Sequence, residues 1–145
     1  MADNGSNPVP PVAPWLGRAG LIPFIAGPAA LYFYPGYSPL IGEVIETYAL
    51  SLICFLVGRR WGLGLGRRRA SALVISNAVV LAAFFGNIAL ATGDFLLLSA
   101  VLFPATVLLE RVHSLFRPQP RYYARLRVQL TVVATLSLLL SALQV

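Results

Sequence analysis

Residues 41–69, read IGEVIETYALSLICFLVGRRWGLGLGRRR, decide the fold because they enclose an apolar run between acidic and basic groups. Only the twelve residues from Thr47 to Gly58 separate Glu46 from Arg59. As a helix they reach roughly 18 Å at about 1.5 Å per residue, whereas a bilayer core is about 30 Å thick. A membrane helix placed here therefore carries acidic groups in its outer part or arginines in its inner part. Charge at that depth is costly, so we expect these groups to have partners or a short path to the interface.

The composition of the chain is that of a polytopic membrane protein. Of its 145 residues, 58% are hydrophobic and only 11% are charged, whereas a soluble domain is nearer half apolar and a quarter charged. The length allows one bundle and no separate soluble domain. The formal charge of +6 comes from eleven arginines without any lysine. These arginines bracket apolar spans and do not form a soluble basic face, which argues against nucleic-acid binding.

Five apolar spans predict an all-α integral membrane bundle of five helices. In the first span, Pro23 and Pro28 each remove a backbone donor, so we expect a bent or broken helix. Between the third and fourth spans the turn is very short, and Asp94 is placed to cap the fourth helix. A proline-rich disordered or extended tail is predicted over residues 1–14, and the predicted spans are 15–34, 40–62, 71–91, 95–112 and 126–145.

The arginines predict the orientation of the bundle. All eleven lie at the start of the first span, from the end of the second span to the start of the third, or from the end of the fourth span to the start of the fifth. Five crossings place these three regions on one side, and the positive-inside rule puts that side in the cytoplasm. The N-terminus is then cytoplasmic and the C-terminus outside. We expect the bacterial inner (plasma) membrane, because no arginine- and serine-rich transit segment leads the chain.

Three motifs carry a family resemblance. They read GLIPF at residues 20–24, YALSLICFLVGRRWGLGL at 48–65 and YYARLRVQLT at 122–131. In this order the chain resembles a family of small membrane proteins of unknown function, which includes bacterial inner-membrane members and the mitochondrial transmembrane protein sixty-nine. The resemblance implies an integral membrane protein and no established activity. The chain departs from the family at Arg60, where the family carries His before Trp-Gly, and at Arg59, which replaces a small residue.

A basic surface is expected to contact lipid or a partner protein. Arg59 and Arg60 have three open interpretations: snorkelling to lipid phosphates, pairing with Glu110, or engaging a partner subunit. The arginines after them are predicted to contact anionic lipid, and the basic segment before the last span is predicted to lie among headgroups. The candidate lipid or partner contacts are Arg59, Arg60, Trp61, Arg67, Arg68, Arg69, Tyr122, Tyr123 and Arg125.

Polar residues inside the spans form a second candidate site. Glu43 and Glu46 fall in the first turns of the second helix, where the helix dipole favours carboxylates. Their alternative role is proton or cation handling, because acidic residues at membrane depth are often functional. Asn77 and Asn87 are predicted either to pack between helices or to form a polar site inside the bundle.

Small residues predict where helices approach each other closely. Two overlapping small-xxx-small repeats run through Gly58, Gly62 and Gly66, and such repeats favour helix packing. A second small-residue face is predicted on the third span, where its members recur at helical spacing: Ala72, Ser76, Ala83 and Gly86.

No reactive constellation is found in the sequence. His113 is the only histidine and has no second ligand near it, whereas metal sites need several convergent ligands. Cys54 is the only cysteine and lies in an apolar run. Neither a nucleophile–base–acid arrangement nor a glycine-rich phosphate loop is present, so we expect no enzyme activity, metal or cofactor.

The sequence favours two functions, and a third, an enzyme acting on a lipid, has no candidate catalytic residue. The first is a non-catalytic accessory or assembly subunit of a larger inner-membrane complex, with membrane lipids and other membrane subunits as partners. It would pack through small-residue helix faces and a basic cytoplasmic surface. The alternative is a small transporter or lipid-handling protein that uses the proline-broken first helix, Glu43 and Glu46, because discontinuous helices line substrate sites.

Overall fold

A computed structural model of the chain describes residues 12–66, 68, 70–112 and 121–145. Within these ranges the regular structure is helical. In chain order the helices are α1 (Val12–Ala19), α2 (Ile22–Phe33), a 3-10 turn (Pro35–Tyr37), α3 (Ser38–Gly66), α4 (Ala70–Ala89), α5 (Thr92–Val112) and α6 (Arg121–Ala142).

Five helical segments of the described chain are long and apolar enough to cross a membrane, which confirms the all-α fold and the number of spans predicted. The prediction that Asp94 caps the fourth helix is wrong, since α5 already begins at Thr92 and Asp94 lies in its first turn. The five segments are Pro14–Phe33, Pro35–Gly66, Ala70–Ala89, Thr92–Val112 and Tyr123–Ala142.

The first span is broken between α1 and α2. The break falls at Gly20 and Leu21, and Pro23 stands in the first turn of α2, where its missing N–H would have no helical acceptor anyway. The hydroxyl of Tyr48 donates a hydrogen bond of 2.7 Å to the carbonyl oxygen of Gly20. The break predicted from the prolines is thus present, and α3 supplies a hydrogen-bond donor to a backbone carbonyl at the break. Pro28, in contrast, stays inside a continuous α2.

Helix α1 begins at Val12, inside the region predicted as a tail. The rest of that predicted tail, residues 1–11, lies outside the described residues.

Four helices form a closed ring around the core, and α4 lies outside it. Helix α2 packs against α3 and α6, α5 packs against α3 and α6, and α4 packs against α3 and α5. The core is apolar and aromatic, with the Phe24 ring set edge-on to Phe103 at a centroid distance of 5.6 Å. The central side chains that this ring buries include Phe24, Ile53, Leu96, Phe103 and Leu138.

Small residues permit the close approach of these helices. A Cβ built on Gly27 would lie 2.6 Å from Cδ1 of Ile45, so a larger residue here would force the Ile45 side chain to shift. The buried residues of α4 are the four predicted as its small-residue face, Ala72, Ser76, Ala83 and Gly86, which confirms that prediction.

Contacts between helices bring their arginine-bearing ends together. At one end, Gly17 of α1 lies against Leu130 of α6, and Arg59 of α3 lies over Tyr123 of α6. At the opposite end, Gly42 of α3 faces the start of α5 and the last residue of the chain. We call the first of these the basic end of the bundle.

Candidate functional site

Helix α3 holds charge at both ends of its apolar core. Glu46 and Arg60 are fourteen positions apart along the helix, which is roughly 21 Å and less than the approximately 30 Å of a bilayer core. The structure gives these charges partners on other helices. The expectation that these charged groups have partners is confirmed for Glu46, which accepts from Asn87, and for Arg60, which is attracted to Glu110.

Near the basic end, Arg60, Glu110 and Arg127 form what we call the buried charge cluster. They come from α3, α5 and α6 and are only 2%, 6% and 6% exposed. Nη2 of Arg127 donates to Oε1 of Glu110 at 3.5 Å, and Arg60 is attracted electrostatically to the same carboxylate. One negative charge thus serves two positive charges, which leaves the cluster with a formal charge of +1.

Among the three interpretations left open for Arg60, the cluster favours the one that pairs it with Glu110. Its side chain is buried within the bundle and lies near Glu110, as one of the three interpretations expected. Sequence reasoning missed Arg127, which had been assigned to the basic segment as a whole. A usable signal was available, because the predicted topology puts Arg127 and Glu110 on the same side of the membrane.

Arg59 takes a different partner from Arg60. Its guanidinium carbon lies 4.6 Å from the centroid of the Tyr123 ring, which is within the range of a cation–π contact. Tyr123 belongs to α6, so this contact joins α3 to α6. It holds the Arg59 side chain against the bundle, where it is half-buried.

A cavity of about 360 Å³ lies between α1, α2, α3, α5 and α6 next to these arginines. Its volume is in the range typical of small-molecule sites. The wall is mostly apolar, with Leu21, Phe24 and Leu130 among its residues. Leu16 and Phe55, which also line it, are 66% and 67% exposed. The cavity is therefore open at the outer surface of the bundle, beside these two side chains.

Few polar side chains reach the cavity wall, and they come from the basic end. They are Arg59, Tyr123, Arg127 and Thr131. The hydroxyl of Thr131 already donates to the carbonyl oxygen of Arg127 at 2.9 Å. In contrast, Nε of Arg127 is buried without a hydrogen-bond acceptor among the described residues. The cavity thus combines an apolar wall with guanidinium groups at one end.

The predicted intramembrane polar residues separate into a pair and two isolated positions. Nδ2 of Asn87 on α4 donates to Oε1 of Glu46 on α3, so these two residues link the helices. Glu43 is exposed beside a shallow groove along α3. Asn77 is also exposed, on the face of α4 that points away from the bundle. The structure therefore does not gather all four into one polar site.

The predicted lipid and partner contacts also divide. Arg59, Arg60 and Tyr123 turn toward the bundle, as described above. Trp61, Arg68 and Arg125 are exposed, and Arg68 has a φ of 54° in the turn between α3 and α4. The other predicted contacts lie outside the described residues: Arg67, Arg69 and the side chain of Tyr122. His113, the single histidine, also lies outside them.

The glycine repeat of α3 faces outward. A Cβ added to Gly58, Gly62 or Gly66 would meet no described atom within 4 Å. Thr47 and Ser51 are exposed further along the same helix. The close packing predicted for these glycines is therefore not found among the described helices. We call Thr47, Ser51, Cys54, Gly58 and Gly62 the outer face of α3.

The side chains of the described residues favour the binding of a small molecule in the cavity. They contain no group of three or more His, Cys, Asp or Glu side chains placed to hold a metal ion. The cavity offers apolar surface and cationic donors. Such a combination fits a molecule with an apolar body and a polar or anionic end.

Comparisons with known proteins agree with the resemblance inferred from the three motifs. The profile of a family described as "Protein of unknown function (DUF3429)" matches residues 9–143. Transmembrane protein 69 of Xenopus tropicalis is 31% identical over 134 residues, which are 89% of this chain and 53% of that protein. The chain thus spans about half the length of this curated relative. No solved structure matches the chain significantly.

Proposed function

The chain belongs to the DUF3429 family, and from that premise we propose that this multi-pass membrane protein is a lipid-handling protein. It holds a bilayer amphiphile in the cavity between α1, α2, α3, α5 and α6. The observation that carries the proposal is the cavity itself, about 360 Å³ in volume and apolar along most of its wall. It opens beside exposed Leu16 and Phe55, so a lipid chain can enter from the bilayer without crossing water.

The proposal includes an orientation. The basic end faces the cytoplasm of a bacterial cell and the protein lies in the inner membrane, as the positive-inside rule favours. The cavity then opens to the cytoplasmic leaflet. The break between α1 and α2 supports the proposal, because interrupted helices often line substrate sites in membrane proteins. Gly20, at this break, is one of the cavity-lining residues.

A matched pair of variants in α6 tests the cavity. Leu130 lines it, whereas Leu136 is exposed on the outside of the bundle. Protein purified in mild detergent is examined by native mass spectrometry for retained lipid. We expect a lipid adduct in the wild type and in Leu136→Trp, and its loss in Leu130→Trp, because the larger ring fills the cavity. Absence of the adduct from the wild type, or its equal retention in both variants, would contradict the proposal.

A second function, an accessory or assembly subunit, is favoured by the outer face of α3. Its small residues are exposed, and small residues in membrane helices mark sites of helix association. Asn77 on α4 is also exposed, and an amide in lipid gains a hydrogen bond from a neighbouring helix. Other membrane proteins are the partners that fit such faces.

The test for this second function is co-purification from native membranes. Gly58→Leu fills the outer face, and Ala29→Leu is the control, since Ala29 is exposed on α2. We expect Gly58→Leu to release a partner that Ala29→Leu retains. Cys54, exposed on the outer face, offers a site for crosslinking the same partner. Recovery of the wild type as a lone monomer argues against this function.

A further inference from the structure

One end of the cavity is positively charged. Arg59 and Arg127 both line it, and they come from α3 and α6. Among the residues that line the cavity there is no aspartate or glutamate in the described part of the chain. An occupant therefore meets two guanidinium groups without a competing carboxylate on the wall.

Among the described residues, the charges named here are only partly neutralised. The buried charge cluster has one carboxylate, that of Glu110, for two arginines, and Arg59 adds a third positive charge that rests on an aromatic ring. The four groups sum to +2. Unbalanced charge in a low-dielectric environment is costly. An anion at the end of the cavity would reduce that cost.

Arg127 supplies a donor for such an anion. Its side chain is 6% exposed, and its Nε has no acceptor within the described structure. A buried N–H without an acceptor is rare in native proteins and calls for a physical explanation. Arg127 also lies on the cavity wall, so an anionic group at that end of the cavity would lie beside its guanidinium.

We propose that the amphiphile in the cavity is an anionic phospholipid whose phosphate lies between Arg59 and Arg127. This inference rests on the proposed lipid-handling function and names the class of lipid. Phosphate oxygens match the planar fork of guanidinium donors, and the acyl chain covers the apolar wall. A zwitterionic headgroup is disfavoured here, because its ammonium group adds positive charge beside the arginines.

The experiment compares two phospholipids that share acyl chains and differ in the headgroup, with a fatty acid and inorganic phosphate as further ligands. Wild-type protein in detergent is titrated with phosphatidylglycerol, phosphatidylcholine, a fatty acid or inorganic phosphate, and binding is read by native mass spectrometry. We expect phosphatidylglycerol to bind about tenfold more tightly than phosphatidylcholine, whose ammonium group is repelled by the arginines, and than the fatty acid, which lacks the phosphate. Inorganic phosphate alone should bind much more weakly, because it cannot cover the apolar wall.

Arg59→Gln is the informative variant, since Arg59 is outside the buried pair of Glu110 and Arg127 and its loss leaves that pair intact. We expect it to reduce the preference for phosphatidylglycerol to near unity while phosphatidylcholine still binds. Arg125→Gln is the control, because Arg125 is exposed on α6 and does not line the cavity. It should keep the wild-type preference.

The outcomes separate the two proposals. Equal binding of all lipids in the wild type, with loss of binding in Leu130→Trp, overturns the phosphate site and leaves the lipid-handling function standing. Equal affinity for the fatty acid and phosphatidylglycerol also overturns it, because charge alone would then be recognised. Binding of inorganic phosphate as tight as that of the lipid overturns it as well. Failure of every lipid to bind the wild type overturns both proposals.

Discussion

Removing the carboxylate of Glu110 is the sharpest perturbation of this bundle. The substitution Glu110→Gln leaves Arg60 and Arg127 buried, at 2% and 6% exposure, with no negative charge between them. At the 3.5 Å separation of Arg127 and Glu110, the pair attraction is about 5 kcal/mol for an effective dielectric constant of about 20. Loss of one partner of a buried ion pair costs about 3–5 kcal/mol in proteins. We therefore expect Glu110→Gln to lower the free energy of unfolding by about 3–5 kcal/mol.

The buried charge cluster has two arginines and one carboxylate, and this imbalance gives a second expectation. Arg127→Met removes one of two arginines, and Glu110 then still faces Arg60, so this substitution should cost less than Glu110→Gln. Equilibrium unfolding in mixed micelles with increasing SDS, followed by tryptophan fluorescence, measures both. Glu43→Gln is the matched control, because that carboxylate is exposed, and surface substitutions stay within about 0.5 kcal/mol. The reasoning fails if Glu110→Gln costs less than about 1 kcal/mol, or if Arg127→Met costs more.

Two further predictions concern the link between α3 and α4 and the orientation. Asn87→Leu removes the amide that donates to the carboxylate on α3, so unfolding should become easier by about 1–3 kcal/mol. Asn77→Leu, on the exposed face of the same helix, should change the same measurement by no more than about 0.5 kcal/mol, and equal effects would refute the role of the pair. In a Cys54→Ser background, a membrane-impermeant maleimide should label Gly36→Cys in intact cells and Arg68→Cys only after permeabilisation. The reverse pattern would invert the orientation.

The helices followed from the sequence because their signals are local. Apolar length predicts a span, and proline predicts a break, as at Pro23. Spacing along one helix also predicted the small-residue face of α4 from Ala72 to Gly86. These properties depend on one segment at a time, and the structure agrees with them in the described residues.

Contacts between helices were harder to predict from the sequence, because they depend on how each helix is rotated about its axis. Asn77 and Asn87 are both amides in one span, yet only Asn87 faces Glu46. Gly58 and Gly62 have the spacing of a packing motif, yet they point away from the other described helices. The cavity was missed for the same reason, since its wall comes from five helices spread along the whole sequence, α1, α2, α3, α5 and α6.

The contact between α2 and α6 has a consequence for biosynthesis. These helices lie at the two ends of the bundle's sequence, residues 22–33 and 121–142, and they pack against each other. While α6 is still inside the ribosome, Arg60 and Glu110 have already been inserted, but Arg127 has not. Membrane insertion can therefore proceed helix by helix, but the ring closes only after α6 has been inserted. A truncated chain that stops before α6 would be inserted and yet would lack one wall of its cavity.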